Sequence, residues 1–314
     1  VNGRGVFMDG RGSIRASAQT GFRAPSLHQI HLSIVQTLVS GGSISNQGTF
    51  NNQSPVLRQL GVDELKEETS LGFTGGIALQ PTDNTTFSLD VYQVDVDDRI
   101  VYSSSIASDD TTTVVGSILA QNSITSLKFF TNAVDTRTKG IDFVGTYRTE
   151  AGSGMVDVNV AANYNETEIR GSIATPAAIA AANVELFDRK EQSRLISARP
   201  DHKVLLGLGY TQGPFHVTLN NTRFGEVRWQ HATDATLDQT FSAKVITDLY
   251  LRYTVNSFVT IGGSVQNLFD VYPDVIEPGD DVLTDLGGRF QYPWEVNQFG
   301  FAGATGIASV DVSF

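Results

Sequence analysis

The chain has 314 residues, 34 acidic against 22 basic side chains, a net charge of −12, and no cysteine. The acidic balance excludes a generally basic nucleic-acid binder, since neutralising phosphates takes clustered Lys and Arg. The missing thiols exclude disulfide scaffolds, thiolate zinc sites and cysteine nucleophiles. No stretch reaches the roughly eighteen apolar residues of a membrane helix, and the opening VNGRGVF lacks a signal-peptide layout. A soluble protein, a mature secreted form or a fragment passes these filters. So does a transmembrane β-barrel, whose apolar residues alternate and never form a run.

Period-two alternation predicts about ten strands, over 12–22, 65–80, 84–101, 127–149, 154–169, 195–212, 214–230, 243–255, 258–268 and 299–314. In the second, Leu71, Phe73, Gly75, Ile77 and Leu79 make an apolar row against Ser70, Gly72 and Thr74. In the third the apolar phase is odd from Phe87 and switches at Tyr92, Val94 and Val96, which marks a bulge or a strand leaving its apolar surroundings. Asp95, Asp97 and Arg99 then share one face, with Asp98 on the other, as a polar wall with an ion pair. The fifth strand sets Val156, Val158, Val160, Ala162 and Tyr164 against Asp157, Asn159, Asn163 and Asn165. Val245, Leu249, Leu251 and Tyr253 repeat the pattern, as do Ala308, Val310, Val312 and Phe314.

The connections sort by length. Those at 80–83, 150–153, 212–214 and 256–257 are tight, and those at 23–64, 102–126, 170–194, 231–242 and 269–298 are long. Strict alternation puts every short turn at one end of the sheet and every long loop at the other. Long loops are uncommon in compact soluble domains, whereas an antiparallel transmembrane barrel has short periplasmic turns and long extracellular loops. Tyr147, Tyr164, Tyr210, Tyr253 and Phe314 near strand ends fit interfacial girdles. A short helix is expected in the third loop, with Thr175 as N-cap and Pro176 at its first position.

On these strands lie motifs that resemble those of TonB-dependent outer-membrane receptors. Ser13-Ile14-Arg15-Ala16-Ser17 followed by Gly21-Phe22-Arg23-Ala24-Pro25-Ser26 resembles the family's R-A-S…G-F-R-A-P-S stretch. Leu65-Lys66-Glu67-Glu68-Thr69-Ser70 resembles L-K-P-E-T-S, with Glu67 where Pro is usual. Asn132 with Thr138-Lys139-Gly140-Ile141-Asp142, then Asn267-Leu268-Phe269-Asp270 and a terminal Phe314, complete the order. Taken as turn and bulge punctuation, Gly21, Pro25, Gly140, Asn267 and Asp270 have simpler uses as well.

The resemblance implies an all-β fold: ten C-terminal strands, residues 1–314 without a plug domain, of a barrel of about 22 strands. It implies a location in the outer membrane of a Gram-negative bacterium, in contact with outer-membrane lipid. It further implies assembly by the barrel-assembly machinery reading Phe314, and import powered by a TonB–ExbB–ExbD complex. The cargo class expected is a ferric siderophore or similar organic ligand, with no enzyme activity, cofactor or resident metal. Rigid amphipathic rings and imidazoles in the long loops are the candidate ligand contacts: His28, His31, Trp229, His231, Tyr292 and Trp294. Interface anchoring or loop packing is the competing role for the same rings.

Two other readings are open at this level. A self-closed ten-stranded outer-membrane protease would use His231 with Asp280, Asp281 or Asp285 at the mouth. A soluble carbohydrate-binding β protein is the third. His28 and His31, three residues apart, lack a nearby third metal ligand in the sequence. Gly207-Leu208-Gly209 sits in a strand with no following helix, so it is no dinucleotide fingerprint.

Overall fold

The structure is a computed structural model, and it describes residues 1–40, 43–277 and 290–314. The chain opens on a hairpin, β1 (Asn2–Phe7) and β2 (Gly12–Arg23), then runs through a long loop with α1 (Leu27–His31), β3 (Ile34–Ser40), β4 (Ser43–Thr49) and α2 (Pro55–Gln59). The hairpin β5 (Glu68–Thr82)–β6 (Thr85–Tyr102) is followed by a loop carrying α3 (Val114–Gln121) and β7 (Ser126–Lys128). Next come β8 (Phe130–Ala151) and β9 (Gly154–Arg170), and a loop with α4 (Ala177–Ala181) and α5 (Arg189–Ile196). The hairpin β10 (His202–Gln212)–β11 (Phe215–Phe224) leads to β12 (Val227–Trp229), a 3₁₀ turn (Ala235–Leu237) and β13 (Gln239–Phe241). The chain ends with β14 (Lys244–Thr254), β15 (Val259–Gln266) and β16 (Thr305–Val312).

Eleven of these strands form one antiparallel sheet in the order β1-β2-β5-β6-β8-β9-β10-β11-β14-β15-β16. The extra strand relative to expectation is β1, whose Gly3 and Gly5 leave its apolar row too sparse to read. It is anchored by the Val1 ammonium, which donates to the Ala18 carbonyl at 2.8 Å. The expected 195–212 strand begins at His202, because 195–196 finish α5. The 214–230 strand splits after Phe224, and its last part pairs with β13 in a separate ribbon. Residues 126–128 likewise leave the main sheet, pairing in parallel with β4. Pro176 is extended (φ −57°, ψ 141°) and is the N-cap of α4 itself, so Thr175 does not cap that helix.

Among the described residues β1 and β16 stand at opposite ends of the order and do not pair. The self-closed barrel that the protease reading required is therefore not formed.

Register carries one largely apolar face across the sheet, interrupted toward the long-loop ends of β11 and β14, where Asn221, Arg223 and Thr247 take this face. The row Ile14–Ile77–Leu89–Phe143–Ala162–Val204 is continuous through six strands. Leu219–Leu249–Val265–Gly306 continues the same face on the last four. On β9 this face is apolar from Val156 to Tyr164, roughly 26 Å along the strand at ~3.3 Å per residue. Tilted as such strands are, that gives about 20 Å of height, close to the ~25 Å apolar band of an outer-membrane barrel. Tyr147, Tyr210 and Tyr253 mark its short-turn edge and Tyr164 its long-loop edge. Beyond Tyr164 the same face carries Glu166 and Glu168.

The pairing of β6 with β8 is unbroken from Thr85 to Val96, so the phase switch at Tyr92 is a change of surroundings and not a bulge. The bulge comes later, between Val96 and Arg99, with Asp98 at φ +55°. It separates Arg99 from Asp95 and Asp97: Arg99 donates to Thr136, in line with Val96, while Asp95 takes Arg137 at 2.7 Å.

The opposite face is a polar network. Arg15 Nε donates to Asp90 Oδ1 at 2.8 Å, reaching over the intervening strand at Gly76, where a β-carbon would overlap the Asp90 carboxylate. Gly140 similarly leaves room for the Tyr92 ring. Ser17–Thr74 (2.7 Å), Thr86–Thr146 (2.6 Å) and Asn163–Asp142 (2.6 Å) continue it.

The motif residues serve as cross-links between strands. Arg23 at the end of β2 donates to Glu68 at the start of β5, and Glu68 also accepts the Ile100 backbone N–H of β6 at 2.7 Å. Leu65 N–H donates to Asn52 (2.8 Å), and Asn132 both accepts from Lys66 N–H (3.0 Å) and donates to the Asp98 carbonyl at the bulge (2.6 Å). Pro25 precedes Ser26, the N-cap of α1 in a capping box with Gln29. Asn267, in the left-handed region at φ +51°, binds the Val271 backbone at both its N–H and C=O, and Asp270 accepts from Ala304 N–H at 2.8 Å. Phe22, Phe269 and Phe314 are exposed.

Two outcomes follow for the complete protein. Glu68→Ala leaves the Arg23 guanidinium and the Ile100 N–H without their acceptor and should lower stability by ~1–3 kcal/mol, measured as an earlier midpoint in urea unfolding of the folded band on gels. Gly76→Val should break the Arg15–Asp90 bridge and lower that midpoint further than Gly3→Val, a position with open space around it.

Candidate functional site

All the buried apolar residues of the described chain lie at the long-loop end. One cluster joins the first three long loops through Leu57, Leu60, Ile106, Leu127, Phe129 and Ile179. A second joins the last three through Ala198, Val227, Trp229, Phe241, Ile276 and Val296. Between them runs α5, started by Asp188, whose carboxylate accepts the Glu191 N–H at 2.9 Å.

From this helix charged side chains reach every neighbouring loop. Glu191 takes Arg194 (2.8 Å) and Lys128 (3.5 Å). Glu295 takes Arg194, Lys190 (3.5 Å) and the indole N–H of Trp229 (2.6 Å). Asp238 takes Arg189 (2.7 Å), Arg228 (2.9 Å) and the His231 backbone N–H (3.0 Å). Burial opposes ionisation of Asp238, but the Arg189 hydrogen bond and its other donors prevail and hold it below the usual carboxylate range. Burial, reinforced by the adjacent Arg194, pushes the Lys190 ammonium down to about 8 against the pull of Glu191.

Trp229, His231 and Trp294, three of the six expected contacts, meet here. Trp229 is buried, with the His231 ring edge-on at 5.9 Å, and only ≈10 Å³ remains between it, Phe241, Ile276 and Trp294. That space takes no more than one water, so Trp229 packs loops together. Trp294 is 46% exposed, with Arg194 against its ring at 5.8 Å. His231 accepts the backbone N–H groups of Thr233 and Asp234, which fixes a turn. Asp280, Asp281 and Asp285 lie outside the described residues.

The other three are elsewhere. His28 lies edge-on to Phe130 (5.9 Å), which in turn meets Tyr102 (4.8 Å), while His31 is exposed one turn on. Tyr292 stacks between Tyr272 (5.5 Å) and Phe301 (5.7 Å), beside the Asn267–Asp270 turn. No group of three His, Cys, Asp or Glu side chains placed to hold a metal occurs among the described residues. The α5 network was missed because 170–194 reads as a loop. Its signal was Asp188 as N-cap with Glu191 and Arg194 three residues apart.

Because Lys190 titrates lower folded (about 8) than free (10.5), the folded state sheds its proton first as pH rises. Between those values the unfolded state binds more protons, so stability of this region should increase with pH. Hydrogen exchange of α5 in the complete protein should slow relative to the intrinsic rate from pH 8 to 10, and Lys190→Met should flatten that trend.

Residues 7–268 match the family described as TonB dependent receptor-like, beta-barrel. Among solved structures, a mutant ferric enterobactin receptor of Pseudomonas aeruginosa superposes over 100% of this chain and 39% of its own, with TM-score 0.60 and 16% identity. A siderophore receptor of the same organism gives 0.54 and 15%, covering 88% of this chain and 39% of its own. The outer membrane transporter YddB of Escherichia coli gives 0.56 and 11%, covering 98% and 39%. At such identities the likeness is one of fold, and the chain spans about two-fifths of the length of these neighbours. No curated protein sequence matches the chain significantly. With its open antiparallel sheet, one apolar and one polar face and loops gathered at one end, the chain belongs to the TonB-dependent receptor β-barrel family, whose proteins are Gram-negative outer-membrane proteins.

Proposed function

We propose that residues 1–314 are the C-terminal part of the barrel of an outer-membrane receptor. It binds a ferric siderophore or related organic nutrient at the long-loop end and imports it into the periplasm with energy delivered through TonB–ExbB–ExbD. The observation that carries this reading is the division of labour in the fold: an apolar face for lipid, a hydrogen-bonded polar face for the lumen, and loops packed into a braced mouth. Neighbours named as siderophore receptors support the cargo class. The plug and TonB box belong to a part of the receptor outside these residues. The unpaired edges of β1 and β16 support this, since each open backbone group in lipid costs several kcal/mol. Trp294 over Arg194, with His28 and His31, are the ligand contacts that remain exposed.

A deletion strain should grow poorly under iron limitation and take up little radiolabelled ferric siderophore. Complementation with Trp294→Ala should raise the half-saturating concentration about tenfold, the loss of ~1.4 kcal/mol expected of one aromatic contact. Unimpaired growth and uptake in the deletion strain would sink the iron reading.

A further inference from the structure

Among the described residues, three Lys or Arg side chains lie against aromatic rings, all at the long-loop end. Lys128 is over Tyr102 (5.2 Å), Arg194 beside Trp294 (5.8 Å) and Lys203 over Phe224 (4.9 Å). The first two already have anions: Glu191 takes Lys128, and Glu191 and Glu295 take Arg194. Lys203 is exposed, and it makes no hydrogen bond or ion pair with any described residue. Of the three, only its charge is left to offer.

Register places this lysine on the polar face. Asp142, Asn163, Lys203, Phe224 and Lys244 form one row, a single residue nearer the short turns than the Tyr164–His202 pair. The row therefore stands at the upper edge of the apolar band, on the lumen side and just beneath the loops. Its other polar members are satisfied: Asn163 donates to Asp142 at 2.6 Å, and Lys244 donates to Asp274. Phe224 is a half-buried ring on this polar wall, and Phe299 of the last long loop covers it at 5.6 Å between ring centres. The cover is pinned from the adjacent residue. The Gln298 amide donates to the carbonyls of Gly225 (2.6 Å) and Ser242 (2.8 Å), at the ends of β11 and β14.

Two rings held in place beside an uncompensated ammonium make a preorganised surface. The ammonium calls for a negative charge, and the rings call for a planar aromatic group to stack beside it. A neutral aliphatic ligand would use neither feature.

We propose that Lys203, Phe224 and Phe299 form a further cargo contact on the lumen wall below the mouth, selecting iron chelates whose ligand groups are anionic and aromatic. An aromatic group of the chelate packs against the two phenyl rings, and its negative oxygens face the Lys203 ammonium. The proposal rests on the reading of the chain as part of a ferric-chelate receptor.

The complete receptor in detergent, its fold checked by the unheated band on gels, is titrated with two probes by quenching of tryptophan fluorescence. One is a synthetic ferric tris-catecholate, anionic and aromatic; the other is a neutral aliphatic ferric trihydroxamate. Wild type should bind the tris-catecholate about tenfold more tightly or better. Lys203→Gln and Phe224→Leu should each weaken that binding about tenfold and leave the trihydroxamate unaffected, and Lys203→Arg should retain it. Tris-catecholate binding unchanged in both Lys203→Gln and Phe224→Leu overturns the proposal. Equal weakening of both probes, or a wild type that binds neither or prefers the trihydroxamate, overturns it as well. The iron reading is scored separately by growth of the deletion strain under iron limitation. Poor growth without this selectivity removes the lumen contact alone, whereas normal growth removes both.

Discussion

A sheet that is apolar on one side and polar on the other has no interior of its own. Here that condition holds over most of the eleven strands, with Asn221, Arg223 and Thr247 as exceptions on β11 and β14, because the register does not slip by one within the band and side chains keep their face. The hydrophobic effect therefore acts on the apolar side only through whatever covers it, and in an outer-membrane barrel that cover is lipid. The polar side must satisfy itself by hydrogen bonding, which it does through pairs such as Arg15–Asp90 and Asn163–Asp142. The buried cores of a globular protein are displaced to the loops, where Leu57, Ile106 and Ile179 meet in one cluster and Trp229, Phe241 and Val296 in another.

That displacement explains the use of charge at the mouth. Loops of this length carry too little apolar residue to lock five segments together, so buried carboxylates of Glu191, Asp238 and Glu295 each gather several donors. Buried ion pairs are costly to desolvate and gain little net stability, but their directionality fixes relative position. The depressed titration of Lys190 records the cost. Trp294, on the outer side of this network, is held by a rigid neighbour yet remains accessible.

The fragments of sequence that identify the family prove to be strand-to-strand fasteners at the upper rim. Arg23, Glu68, Asn132 and Asn267 bond to backbone or charge in a different strand or in the next turn, each at the level where the sheet leaves the apolar band. Strands of 18, 22 and 17 residues in β6, β8 and β9 overshoot the ~10 needed to span the bilayer, and the fasteners stiffen the part that projects.

The strand number of the main sheet to within one, the sorting of short turns and long loops, and the apolar face were legible in the sequence, because a period of two and a turn's residue types are local properties. β1 escaped because glycine gives no periodic signal. Tertiary structure alone decided which distant residues meet. Arg23 and Glu68 are 45 positions apart, and only register brings them together. The bulge at Asp98, which turns Arg99 to the face of Thr136, is a cross-strand event invisible along one strand. Of the six expected ligand contacts, the fold united Trp229, His231 and Trp294 and then buried the first, since loop packing depends on residues from segments far apart in the chain. The sequence alone determined the two-sided strands and the side on which the loops gather. Pairing across strands decided what those loops hold, because a contact between segments is a property of both and is written in neither.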